Sequence, residues 1–182
     1  MTFHKFPDIE RLGHEDTRDI FICGTDTIYV EEKVDGGNGS FWIEDDVIHF
    51  GSRARDLTVE NDDKAFERQQ IWLKEHLEKI NNEDIKLNQD YIYYIEWLQL
   101  HTLHYNNPPP VIGLDIRLKR SMNVNDCGLF ISREAKENEF VRLKIPVVPL
   151  IWKGTVDELK KINIQSLITE SRIENWDGRL VL

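Results

Sequence analysis

Residues 27–50 constrain the fold most strongly. Thr27 to Lys33 alternates, with Ile28, Val30 and Glu32 facing one way and Tyr29, Glu31 and Lys33 the other. That is the period of a β-strand. Asp35-Gly36-Gly37-Asn38-Gly39 follows, a dense turn signal in which glycine permits positive φ. Phe41-Trp42-Ile43 and Val47-Ile48-His49-Phe50 then predict a hairpin around Asp45-Asp46.

The rest of the chain adds strands and a few helices. Phe66, Gln70, Leu73, Leu77 and Ile80 recur at three- and four-residue steps and predict one long helix. Asp62 or Asp63 suits its start and Asn81-Asn82 its end. Tyr91 to Leu98 reads as a buried strand. Asn106-Asn107-Pro108-Pro109-Pro110 is a loop, since neither a helix nor a central strand tolerates it. Val111 to Leu118 is another strand, and Ser132 to Leu143 a second helix. Val147 to Trp152 predicts a strand ended by Lys153-Gly154. Thr155-Val156-Asp157-Glu158 has the capping-box pattern of a short helix through Ile162. Strands outnumber helices and short turns join them, so the fold class is α+β with largely antiparallel sheets.

Size and charge bound what such a fold can do. The chain has 182 residues, with 23 Lys and Arg against 33 Asp and Glu, a net charge of −10. One domain over residues 1–182 is expected, and it is long enough to bury a core without staples. The acidic balance argues against coating nucleic acid by bulk electrostatics, but it leaves room for a local basic site. No run approaches a membrane span, and the opening residues have no secretory h-region. Cys23 and Cys127 make no disulfide framework and point to a reducing cytoplasm.

Lys33 stands directly before the glycine-rich segment. Glycines there let phosphates approach the backbone, and a strand holds the lysine rigidly. A lysine becomes a nucleophile once desolvation or a nearby cation lowers its pKa. From spacing alone, the favoured reading of these residues is a solvated lysine beside a hairpin turn. The pattern is neither a Walker sequence nor a dinucleotide fingerprint.

Glu31-Glu32-Lys33-Val34-Asp35-Gly36-Gly37-Asn38 resembles the Lys-x-Asp-Gly motif of the covalent nucleotidyltransferases, which comprise ATP-dependent DNA ligases, RNA ligases and mRNA capping enzymes. Gly51-Ser52-Arg53 resembles the second motif of that superfamily. Tyr93-Tyr94-Ile95-Glu96-Trp97 resembles the third, and Gly113-Leu114-Asp115-Ile116 the next. Their order and spacing are far more specific than any one of them. Asn38 resembles the Lys-x-x-Gly-x-Asn pattern of the RNA ligase 2-like and editing-ligase group. The opening Phe3-His4-Lys5-Phe6-Pro7-Asp8-Ile9 is similar to the start of those enzymes, and the stretch from Glu96 through His101-Thr102-Leu103 shares their look.

The resemblance implies a ligase adenylation domain: two mostly antiparallel sheets with flanking helices and a nucleotide cleft between them. It implies ATP as the donor, since nothing before Lys33 resembles the extra domain of NAD-dependent ligases, and Mg2+ as the metal cofactor. Lys33 is the implied nucleophile toward the α-phosphate. Glu31 is implied beside the adenine amino group, Glu32 in the nucleotide site, and Arg53 on ribose or phosphate. Glu96 is implied on a ribose hydroxyl, Leu114 against the adenine face, and Asn38 beside a hydrated magnesium ion. The implied partner is nucleic acid, either RNA or a nicked duplex with 5′-phosphate and 3′-hydroxyl ends, and no membrane.

Four departures qualify the match. Ile95 replaces a common glycine, and Leu114 a common aromatic residue. Asp177-Gly178-Arg179-Leu180-Val181-Leu182 resembles the fourth motif, with Asp177 in the place of a nucleotide-binding glutamate. The fifth motif, a strand with two lysines, finds no match, so the expected domain is incomplete at its C-terminus. Two alternatives stay open: a non-catalytic nucleotide or nucleic-acid binding module, and an ATP-dependent DNA ligase or capping-type guanylyltransferase.

His101-x-x-His104 reads as structural or solvent-facing, for want of cysteines or further spaced ligands. The scattered tryptophans, Trp42, Trp72, Trp97, Trp152 and Trp176, read as core and make no stacking ladder. Arg117, Lys119 and Arg120 suit either a phosphate backbone or a solvated strand end.

Overall fold

The computed structural model describes residues 5–11, 14–60, 64–98, 105–119 and 129–167. The chain forms two compact units. The larger is built on Val34–Val147. The smaller combines Pro7–Lys33 with the described part of Val148–Ile173. Phe3, His4, Asp62, Asp63, His101, His104, Arg120, Cys127, Trp176 and Asp177 lie outside the described residues. Among the described residues no helix is long and apolar enough to cross a membrane.

The larger unit is a four-stranded antiparallel sheet with two helices. Its strands are β2 (Gly37–Glu44), β3 (Val47–Ser52), β4 (Tyr91–Trp97) and β5 (Val111–Leu118), in the order β3-β2-β4-β5. The hairpin turns on Asp45 and Asp46, whose φ values are 50° and 61°. Two consecutive left-handed residues match the twist of the flanking strands, and aspartate tolerates that conformation.

Strand alternation gives the sheet two different faces. Phe41, Phe50, Tyr93, Ile95, Trp97, Val111 and Ile116 pack against Leu73, Leu77 and Ile80 of α1 (Glu67–Asn81) and Phe140 and Leu143 of α2 (Arg133–Arg142). The opposite face carries a smaller cluster of Trp42, Ile92 and Tyr94, with Phe6, Leu114 and Phe130 against it. The Phe6 and Tyr94 rings meet edge-on at 5.0 Å.

The helices largely follow the sequence expectation. Ser132 caps α2 by accepting from the Ala135 amide at 3.2 Å. In α1 the buried stripe is Gln69, Gln70, Leu73, Leu77 and Ile80. Phe66, expected on that stripe, instead precedes the helix in a left-handed conformation with φ 55°. Its ring stacks on Trp97 at 5.8 Å, and that packing holds a conformation that ordinarily costs about 1–3 kcal/mol.

The smaller unit pairs β1 (Thr27–Glu31) antiparallel with β6 (Leu150–Thr155). The expected strand at Val147 to Trp152 is displaced toward the C-terminus, because Lys153 and Gly154 pair with Tyr29 and Ile28. Val147 instead makes a single parallel bridge to Gly113. The capping box is present. The Glu158 amide donates to the Thr155 hydroxyl at 3.2 Å, and the Thr155 amide to the Glu158 carboxylate at 2.8 Å. The helix it opens, α3 (Val156–Leu159), stops short of Ile162.

β1 likewise ends earlier than expected. The register slips between Val30 and Glu31, which pair with Trp152 and Leu150, so Ile151 is the extra residue of a bulge. The Glu32 amide donates to Pro149 O at 2.9 Å. Lys33 is therefore beyond the strand, in the segment that leads to β2.

Candidate active site

The glycine-rich segment has a different physical basis from the turn expected of it. Gly37, Asn38 and Gly39 already belong to β2, and Gly36, Gly37 and Gly39 all lie outside the left-handed region. Glycine is required there by close approach. A Cβ on Gly39 would lie 2.0 Å from Trp97 Nε1. A Cβ on Gly36 would lie 2.7 Å from both Glu96 Cγ and the Trp97 carbonyl oxygen. The backbone that follows Lys33 thus runs directly against the end of β4.

That approach brings two distant motifs together. Asn38 pairs with Glu96 across β2 and β4, and Glu96 pairs in turn with Ile112 on β5. Residues opposite each other in adjacent strands project to the same face, with Cβ atoms about 4.5–5.5 Å apart. This is the face that carries Tyr94 and not the helix-packed core. Asn38 and Glu96 are both half-buried, and their oxygen atoms are hard donors.

Leu114 reaches the same face by a bulge. Ile95 pairs with Gly113 and Tyr94 with Asp115, which leaves Leu114 as the extra residue of β5. Its side chain packs against the Trp42, Ile92 and Tyr94 cluster.

Arg53 is exposed in a tight turn after β3. Ser52, which pairs with Gly39, closes the turn by donating to Arg55 O at 2.9 Å. The returning chain is clamped by the Leu57 amide to Phe50 O at 2.8 Å and by Asp56. One Asp56 oxygen accepts from the Thr58 and Val59 amides at 2.9 and 3.0 Å; the other lies 3.2 Å from His49 Nδ1. The His49 ring stacks on Trp42 at 5.3 Å.

Glu31, Glu32 and Lys33 belong to the smaller unit, and Asn38, Arg53, Glu96 and Leu114 to the larger. Lys33 is exposed, and Glu31 and Glu32 are half-buried. The chain crosses from one unit to the other at Lys33-Val34, and Val34 is itself buried. Two residues on, the Asp35 amide donates to the Tyr105 hydroxyl at 2.8 Å. Tyr105 and the His49–Asp56 pair carry no motif, and no spacing in the sequence singles them out.

Among the described residues no group of three His, Cys, Asp or Glu side chains gathers to hold a metal ion. The side-chain oxygen of Asn38 fits a different kind of site. Mg2+ keeps several waters and is held by one or two protein oxygens together with substrate phosphates.

The family described as RNA ligase matches residues 26–178. No curated protein matches the chain. Among solved structures, the fold is similar to that of a candidate ATP-dependent DNA ligase from Aquifex aeolicus, with a TM-score of 0.53 and 20% identity. The similarity covers 86% of this chain and 40% of that one, so this chain spans well under half the length of that structure. At that identity the likeness establishes the fold: α+β, with two antiparallel sheets, as in a ligase.

Proposed function

This chain belongs to the RNA ligase family, and from that premise we propose that it is an ATP-dependent RNA ligase that acts through a lysine-bound adenylate. The observation that carries the proposal is the Asn38–Glu96 pairing, with Gly36 pressed against Glu96. It joins the segment that follows Lys33 to the glutamate of a remote motif.

Lys33 is the nucleophile in this reading. Its Nζ bonds to the α-phosphorus of ATP and gives up a proton; the bond from that phosphorus to the bridging oxygen breaks, and pyrophosphate leaves. The adenylate then moves to the 5′-phosphate of a polynucleotide, and the phosphorus–nitrogen bond breaks. A 3′-hydroxyl attacks that activated phosphate and AMP departs. No step needs an oxidant or reductant. Catalysis is positioning and charge neutralisation at phosphorus.

The other residues take the following parts. Glu31 accepts from the adenine amino group, with Glu32 beside it in the nucleotide site. Arg53 binds ribose or phosphate, and its clamped turn limits the freedom lost on binding. Glu96 accepts from a ribose hydroxyl, Leu114 packs on the base, and Asp177 contributes to the nucleotide site. Asn38, facing Glu96, would hold a hydrated Mg2+. Bound there, the ion would supply charge neutralisation at phosphate. The nucleic acid is RNA or a nicked duplex with 5′-phosphate and 3′-hydroxyl ends, in keeping with a role in RNA repair.

Incubation with magnesium and α-labelled ATP tests the proposal. A covalent label on the wild-type chain that is absent from K33A is expected. An unlabelled wild type, or a label that persists in K33A, overturns the nucleophile. A stronger label from GTP than from ATP would point to a capping-type enzyme.

A further inference from the structure

Lys136 is a lysine only 4% exposed, in the second turn of α2. Lysines are rarely buried so completely, because the ammonium loses its water. The Lys136 Nζ donates to the carbonyl oxygen of Leu114 at 2.8 Å. Leu114 is the extra residue of the β5 bulge, where the ladder is locally interrupted. The lysine head therefore holds the main chain at a point where the β4–β5 ladder is interrupted.

The bulge decides which residues reach which face. Ahead of it, Ile112 pairs with Glu96; behind it, Asp115 pairs with Tyr94. Even-numbered residues share the Glu96 face before the bulge, and odd-numbered residues after it. That switch keeps Ile116 in the helix-side core at 0% exposure while Leu114 packs beside Tyr94. A slip of one residue would reverse both placements. Gly113 fits the same arrangement, since a Cβ there would lie 2.8 Å from the Phe140 ring of α2.

We propose that Lys136 is a positioning residue for nucleotide recognition: by holding the Leu114 carbonyl it fixes the β5 bulge, and so sets the Leu114 side chain on the face shared with Asn38 and Glu96, where it meets the flat face of a purine. This rests on the reading of Leu114 as the residue against the base. Lys136 is placed against no substrate and acts through the Leu114 carbonyl that it holds.

The test measures how Lys33 labelling depends on ATP concentration, alongside calorimetric ATP binding. The proteins are wild type, K136M, K136R, K136Q, L114A and the K136M/L114A double variant, with circular dichroism to verify folding. K136M should raise the half-saturating ATP concentration about tenfold, with the maximal labelling rate within about twofold of wild type. K136R, which keeps a charged donor, should recover most of that shift. The double variant should be no worse than the weaker single one, as expected of two residues acting as a unit. Unchanged ATP dependence in K136M, or losses that simply add, would overturn the proposal. Should K136M not fold, an ATP dependence in K136Q equal to that of wild type overturns it equally. A wild type that binds ATP without being labelled removes Lys33 as nucleophile but leaves the binding comparison to decide Lys136. A wild type that neither binds nor labels removes both.

Discussion

Asn38 and Glu96 are direct cross-strand partners, one on β2 and one on β4, on the sheet face that also receives Leu114. Their pairing has an electrostatic consequence. An amide opposite a carboxylate is compatible with close approach, whereas two carboxylates in that position repel by about 0.2–1 kcal/mol. N38D should therefore melt at a lower temperature than wild type at pH 7.5. The gap should narrow as salt rises from about 0.05 M to about 0.5 M, which screens the repulsion. Thermal melts at the two salt concentrations measure this, and a gap independent of salt would contradict it.

The same face predicts the loss of chemistry. E96A should reduce the rate of adenylate formation at least tenfold, since a hydrogen bond to a charged group contributes about 1.5–3 kcal/mol. The four-stranded sheet should survive, because the core side of β4 is Tyr93, Ile95 and Trp97. Single-turnover labelling with a parallel melt separates the two effects.

G39A and G36A should fail in different ways. At Gly39 the added carbon meets the buried Trp97 indole, whose Nε1 donates to Gly51 O at 3.3 Å. Overpacking of that kind costs about 1–3 kcal/mol, and urea denaturation should show it. At Gly36 the carbon meets the Glu96 side chain as well as backbone. G36A should lose adenylation out of proportion to any loss of stability.

His76 gives the fold a pH dependence near neutrality. Burial lowers its pKa, outweighing the bond its ring makes to Leu143 O at 2.7 Å. The unfolded chain, with a histidine near 6.5, then takes up the proton first. The stabilisation is full above that value and is lost as pH falls toward the lower folded value. H76Q should flatten the fall in melting temperature between about pH 7 and pH 5.

Tyr93 and Glu139 join β4 to α2 through a 2.7 Å bond in which the phenol donates, while the Asn88 amide donates to the same phenol at 2.9 Å. Burial opposes ionisation of Glu139, but the bonds from Arg142 and Tyr93 and the Arg142 charge prevail and hold it below the usual carboxylate range. Its stabilisation is present above the ordinary glutamate value and is lost as pH falls through the lower folded one. E139Q should reduce the acid-induced loss of stability, and Y93F should cost about 1–2 kcal/mol in urea titrations at pH 7.

How far the sequence speaks depends on how local each cause is. The β2–β3 hairpin and strands β4 and β5 were legible because alternation and the Pro108-Pro109-Pro110 break are written within each segment. The reason for Gly36 and Gly39 was not, since it lies in Glu96 and Trp97 on another strand. The early end of β1 depends on a bulge in β6, beyond any window around Lys33. Motif resemblance names Asn38 and Glu96 separately, but only the register makes them partners. Lys136 reads in sequence as one more charged residue of a polar helix. Its burial emerges once α2 is laid against β5.

The pairing of β1 with β6 orders events in time. The partner of Tyr29 is Lys153, and the whole of Val34–Val147 lies between the two strands along the chain. A ribosome adding about 5–20 residues per second needs on the order of ten seconds to pass from one strand to the other. Throughout that interval β1 has no partner, while the larger unit can already assemble its sheet and helices. Closing so long a loop is entropically unfavourable and slow. The strand that leads into Lys33 is therefore fixed late, and a nascent chain cannot present the finished lysine before β6 has been made.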